Sequence, residues 1–423
     1  MKASWVASGF VVLAVVVWNG FATAEDLGFP KRCVELEKGP PVFLYPDLYS
    51  SRDSVLFRMT RMSVNGAEQS FVIWDTETGK LLARRPAPGS QTYGWQLSPD
   101  GKLLAVPVTG HAKIVQLWEV GSKDGRGVPQ LRFLTELRPK DMPPKGQPEH
   151  PSPWPAFVQV AWTPDSKTLI ARYNLHLPSS NATPTAKILF WSYTDKPNVF
   201  ADSPDEDRGT KAWKPWAKLE FEEHLQIAVS PDNRTLAVVE QWSRGPTGHL
   251  FDLQTAQSRE TFPFDRNRAK TAPLSGSALA YWPEFSPDSK TLVIRGDRYF
   301  GLWDTAPPVP RVEMPDADFH EIWGHHCKFV FTSDSRWLLT LNMFRTDRKL
   351  GRDAVVQVRD AQTAKVHHEV KFPSQLGLAR LLINLPDHRL LLFFESAQKG
   401  HREFLWHTDD LLRYAVEHGS PPG

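Results

Sequence analysis

The chain is poor in cysteine, balanced in charge and without a recognisable reactive motif. Two cysteines in 423 residues, Cys33 and Cys327, leave room for at most one disulfide. Fifty basic residues stand against 48 acidic ones, a balance that argues against a dedicated binder of nucleic acid or another polyanion and leaves room only for a local patch. After residue 21 no apolar run is long enough to cross a bilayer as a helix. There is no Gly-x-Ser-x-Gly elbow, His-Glu-x-x-His pair, Cys-x-x-Cys pair or phosphate-cradling glycine loop. What the chain has instead is 36 prolines, 26 glycines and 16 tryptophans, the composition of many turns around a large aromatic core.

The first residues form an address. Lys2 opens a short positive start, Trp5 to Trp18 is mostly apolar, and Ala22-Thr23-Ala24 before Glu25 has the small-x-small form of a cleavage site. Residues 1–24 are therefore expected to be a signal peptide, and the mature chain to be exported to a periplasmic, secreted or cell-surface location. The alternative is an uncleaved anchor, since Ser4 to Phe21 could span a bilayer at about 18 residues.

Turns decide the rest. Asp100, Asp165, Asp232 and Asp288 each close a Ser/Thr-Pro-Asp turn, with weaker versions at Asp334 and Asp387 and an outline at Asp53. Proline presets φ for the second place of a type I turn, and the segment that follows becomes apolar and β-branched. The intervals are 47, 65, 67, 56, 46 and 53 residues, so each unit holds about four strands and some units carry insertions. A second marker alternates with the first. Strands end at Trp74-Asp75, Trp118-Glu119, Trp191-Ser192, Phe251-Asp252, Trp303-Asp304, Arg359-Asp360 and Trp406-His407. Seven units follow from either marker.

With WDTETGK at Trp74, SPDGKLLAV at Ser98 and SPDNRTLAV at Ser230, the chain resembles the WD40-repeat family over nearly all of its mature length. Arg359 and His407 depart from the family's pair, and most units lack its Gly-His dipeptide. The resemblance implies an all-β fold, a seven-bladed β-propeller of four-stranded antiparallel blades. Runs such as Leu103 to Val106 and Thr235 to Val239 agree, being apolar on both faces as a blade packed between two others requires. The expected division is a signal peptide at 1–24, an N-terminal segment at 25–41, the propeller at 42–410 and a helix or tail at 411–423.

The ends must close the ring. Cys33 to Leu36 lies at the right distance before Asp53 to be an outer strand with no blade in front of it, so it is expected to complete the last blade. From Thr408 the sequence reads as a helix, with Thr408 or Asp409 as cap, Leu411, Leu412, Ala415 and Val416 on one face and Gly419 beyond. The rival is that Leu411 to Val416 is itself the last outer strand. Cys33 and Cys327 would fall on different blades and at different depths, about 14 Å apart even across one sheet, which favours two buried thiols over a bridge.

Insertions mark one face. Residues 138–155, 174–187, 263–277 and 342–352 would open on the same side of the disc, and only 194–211 on the other. The candidate binding face comprises Tyr93, Trp95, His224, Tyr281, Trp323, His325, Arg345, Arg348 and Arg380. The expected function is a non-catalytic scaffold binding a protein or peptide, without cofactor or metal, without nucleic acid, and as a monomer. The alternative is a small-ligand binder or enzyme centred on the channel, as lactonase-type and quinone-dependent propellers are. His320, His325, His326 and Cys327 have metal-ligating side chains, but neighbours on a strand point to opposite faces and do not converge.

Overall fold

The computed structural model of the chain describes residues 29–37, 49–52, 55–60, 70–86, 95–108, 114–125, 127–137, 158–175, 185–193, 213–221, 225–240, 247–263, 282–296, 299–315, 329–343, 354–372, 376, 378–384, 389–396 and 400–420. Among these residues there are seven four-stranded antiparallel sheets. Six are built from consecutive strands, within residues 49–86, 96–137, 158–221, 225–263, 282–315 and 329–371, and are called blades 1 to 6. Blade 7 takes three strands from 378–407 and its outermost from Val34–Glu35.

Burial explains the ring. Seven apolar clusters are present among the described residues, and each joins two neighbouring blades. Ile170 and Ile188 of blade 3 meet Leu225 and Val238 of blade 4, for example. The ring closes where Leu56, Val72 and Trp74 of blade 1 pack with Leu391, Phe393 and Leu405 of blade 7. Second strands are buried on both faces, as in Leu104, Ala105 and Val106, because each face meets a different blade. The first strands of adjacent sheets approach one another, which puts them nearest the axis.

The turn carboxylates serve the structure twice over. Ser98, Thr163, Ser230, Ser286 and Thr332 each donate a hydroxyl hydrogen bond of 2.6 Å to the aspartate two residues on. The same aspartates accept the backbone N–H two residues further along, at 3.0 to 3.2 Å. Between them stands a residue with φ near +60°: Gly101, Ser166, Asn233, Ser289 and Ser335. Left-handed backbone turns that side chain towards the preceding blade. Ser166 Oγ accepts from Asp100 N at 2.8 Å, Ser289 Oγ from Asp232 N at 3.0 Å, and Ser335 Oγ from Asp288 N at 3.0 Å. Asn233 donates from Nδ2 to Asp165 at 3.1 Å, a bond of the same kind from blade 4 to blade 3. Ser289→Ala is expected to lower stability by about 1 kcal/mol, the net worth of one such bond, and a urea melt checks it.

Third strands end on the aromatic-acid pair. Asp75, Asp252 and Asp360 each accept two backbone N–H groups of the following turn, and the left-handed position is filled by Gly79, Ala256 and Ala364. Trp74 and Trp406 are fully buried. Arg359 occupies the tryptophan place in blade 6 and is 5% exposed. It donates to Ala364 O at 3.0 Å, to Thr340 Oγ1 at 3.3 Å and to Gln357 Oε1, so hydrogen bonds replace the aromatic contact.

The chain ends close the ring by strand pairing from the N-terminal side. Val34 pairs Leu405 and Glu35 pairs Phe404, and Leu36 N donates to Glu403 O at 2.9 Å. The segment then crosses to blade 1. Glu37 N donates to Gly79 O at 2.7 Å, Trp74 Nε1 donates to Glu37 O at 2.9 Å, and Leu81 N donates to the Glu37 carboxylate at 2.9 Å. Thr408–His418 is a helix, so the rival outer strand at Leu411 to Val416 is ruled out. Two details of that helix differ from expectation. The N-cap is His407, without a side-chain cap bond, and Val416 is 57% exposed while Tyr414 takes the buried place beside Leu411 and Ala415. Tertiary contacts override the local signals here: Asp410 is paired with Arg32 at 2.6 and 2.8 Å, and Tyr414 meets Phe29 edge-on at 5.8 Å. Cys33 is a free, buried thiol, held well above its ordinary pKa by desolvation and by the nearby Glu35 and Asp410 carboxylates. Cys327 lies outside the described residues.

Candidate functional site

Strand order gives the disc two unlike faces. On one, first strands turn into second strands through 98–102, 163–167, 230–234, 286–290 and 332–336, five residues each. Third strands turn into outer strands through connections of the same length at 76–80, 253–257, 305–309 and 361–365, with 194–212 as the exception. On the other, the connections vary widely, from 297–298 to 138–157, 264–281 and 316–328. The first face is committed to the repeated hydrogen bonds described above. The second is free to vary.

Two of the nine expected site residues lie among the described residues as far as their backbone. Trp95 is 3% exposed and packs edge-on to Phe71 at 5.9 Å, within the cluster between blades 1 and 2. Its ring therefore belongs to the core, and its Nε1 has no hydrogen-bond partner among the described residues. Arg380 stands on the innermost strand of blade 7, Leu378–Asn384, at a bulge where the register steps from Ala379 opposite Phe394 to Leu381 opposite Phe393. His224 and Tyr281 directly precede the first strands of blades 4 and 5, Leu225–Val229 and Trp282–Phe285. They, with Tyr93, Trp323, His325, Arg345 and Arg348, lie outside the described residues, as do His320, His326 and residues 1–28. Among the described residues no three His, Cys, Asp or Glu side chains are grouped to hold a metal. No helix among them is long and apolar enough to cross a membrane.

Sequence reasoning missed the most unusual side chain of blade 3. Arg172, on the second strand Thr168–Leu175, is 5% exposed, and its Nε has no hydrogen-bond partner among the described residues. Burial alone brings its pKa down to about 10. Gln159, directly across on the innermost strand Val158–Trp162, donates from Nε2 to Ile227 O of blade 4 at 3.4 Å, while its Oε1 is buried without a partner among those residues. On the opposite face of the sheet Tyr173 is 1% exposed, and desolvation raises its pKa. A signal was present: seven residues beyond the turn aspartate, Arg172 stands where Pro107, Val239 and Leu341 stand in blades 2, 4 and 6, and Arg295 of blade 5 repeats the charge.

No family model matches the sequence. No curated protein matches it either. Among solved structures the chain is similar to one from the crystal structure of a mitotic checkpoint complex, at TM-score 0.51 and 12% identity, over 96% of this chain and 98% of that one. It is similar also to the β-propeller domain of Cps50 (Swd1) from Myceliophteria thermophila, at TM-score 0.50 and 10% identity, over 89% and 99%. The likeness is one of fold. Seven four-stranded sheets in a ring and two matches of nearly full length make the chain a seven-bladed β-propeller.

Proposed function

We propose that this chain is an exported, monomeric, non-catalytic scaffold that presents the variable face of its propeller to a protein or peptide partner. The observation that carries the proposal is the asymmetry of the two faces. On one side, five-residue turns of five units are held by the same hydrogen bond and 194–212 is the one long connection, while the other side collects the remaining long connections. In repeat proteins, connections that differ from unit to unit on one face are where partners are distinguished. The charge balance favours a protein over a nucleic acid as partner.

Shortening 138–157 and 264–281 to tight turns is expected to abolish recovery of a specific partner from the exported fraction. The same treatment of 194–212, on the opposite face, should leave it intact. Equal loss from both would count against the assignment. Sequencing of the mature N-terminus is expected to begin at Glu25, and stoichiometric calcium, zinc or copper in the purified protein would favour a channel-centred enzyme.

A further inference from the structure

The second strand of blade 3 reads TLIARYNL, an apolar run broken at its fifth residue by a guanidinium. Alternation along a strand settles which way that residue faces. Ile170 packs with Leu225, Ile227, Leu236 and Val238 of blade 4, so Arg172, two residues on, faces the same gap between blades. Gln159 reaches into that gap as well, as its bond to Ile227 O requires. On the other flank Arg172 is opposite Ile188, which is apolar and fully buried. A buried cation with no counter-charge beside it among the described residues costs several kcal/mol after relaxation. The fold itself does not demand it, since proline, valine and leucine serve at the matching positions of blades 2, 4 and 6, Pro107, Val239 and Leu341.

Two groups orphaned among the described residues therefore share one gap: a buried N–H donor with a positive charge, Arg172 Nε, and a buried acceptor, Gln159 Oε1. We infer that Arg172 and Gln159 form a site between blades 3 and 4 for a carboxylate with a neighbouring N–H, the chemistry of the C-terminal residue of a polypeptide. The guanidinium fork donates two parallel hydrogen bonds to a carboxylate, and the glutamine oxygen accepts one from the adjacent amide N–H. A simple anion would satisfy the arginine and leave the glutamine unpaired. Arg172 lies in the half of its strand towards the variable face, and the identification of the ligand with a partner's chain end rests on the scaffold reading of that face.

Binding to the full mature chain is measured by calorimetry with N-acetylglycine, which mimics a chain end, and with N-acetylglycinamide, acetate and inorganic phosphate. N-acetylglycine is expected to bind at least about tenfold tighter than its neutral amide, the worth of a charge-assisted bond. Arg172→Met should abolish that binding, and Gln159→Leu should bring N-acetylglycine down to the level of acetate. Because it removes a buried charge that has no counter-charge among the described residues, Arg172→Met should also unfold at a denaturant midpoint equal to or above that of the parent. A lower midpoint would make Arg172 a structural residue and overturn the site. So would equal binding of acid and amide, or phosphate binding as tightly as N-acetylglycine. The two readings fail separately. Arg172-dependent binding of N-acetylglycine with no partner lost on shortening 138–157 and 264–281 supports the site and sinks the scaffold face. Partner loss on shortening, with N-acetylglycine binding unchanged in Arg172→Met, does the reverse.

Discussion

Deletion of residues 25–38 is expected to lower the stability of the propeller by about 5 kcal/mol, a third or more of what a folded domain usually has. The segment buries Phe29, Cys33 and Leu36. It also supplies the outer strand of blade 7, and Arg402 grips Glu35 through a bidentate pair with one bond of 2.6 Å. Without it the eight-residue strand Gly400–His407 becomes an open edge, so aggregation should accompany the loss. Deleting 411–423 is expected to cost less, but not independently. Phe29 packs against Tyr414, Trp406 and Phe404 at ring distances of 5.8, 4.8 and 5.3 Å, and Arg32 pairs with Asp410 at the start of the helix. Each deletion strips part of what holds the other end. Urea melts of both single deletions and of the double should show the double costing about 1–3 kcal/mol less than the sum. Strict additivity, or a C-terminal deletion more damaging than the N-terminal one, would mean that the ring is not closed by this clasp.

The second large effect is expected from one methyl group. Gly79 lies in the turn of blade 1 at φ +70°, and a Cβ placed there would sit 2.1 Å from Glu35 O and 2.9 Å from Val34 Cγ1. The backbone of the clasp strand thus runs where a side chain would be. Gly79→Ala combines the left-handed penalty of about 1 kcal/mol with displacement of the strand that joins blades 7 and 1, for a total of about 2–4 kcal/mol. Two glycines of blade 2 separate the contributions. Gly127 has φ +79°, and a methyl group at that position would meet no described atom within 4 Å, so its alanine variant should show the backbone penalty alone. Gly125 has no positive φ, and a methyl group there would meet no described atom within 4 Å, so its alanine variant should be close to neutral. Midpoints falling in the order Gly125, Gly127, Gly79 are the expected result, and a Gly79 variant no worse than that of Gly127 would dismiss the close approach.

Much of this architecture was legible because its markers are local. An aspartate two residues after a serine or threonine, followed by an apolar strand, is a turn held by its own side chains, and five such turns carry the same 2.6 Å bond. The helix from Thr408 was legible for the same reason, by its periodicity. Its cap and its buried face were not, because Arg32 and Phe29, nearly four hundred residues earlier, decided which of its residues are covered. Trp95 reads as a site residue from its place before an inner strand, yet its ring is packed with Phe71 of the neighbouring blade.

By itself, then, the sequence determined the unit and its number, since turn chemistry and strand apolarity act within a few residues of one another. Only the tertiary structure decided how the units are joined. That the left-handed Ser166, Ser289 and Ser335 latch blades 3, 5 and 6 to the blade before depends on groups 47 to 66 residues apart in the chain. The same holds for the crossing of Glu37 to Gly79 and for the burial of Arg172 with no counter-charge beside it among the described residues. Such contacts are selected by packing across blade interfaces, where distance in the chain carries no information about distance in space.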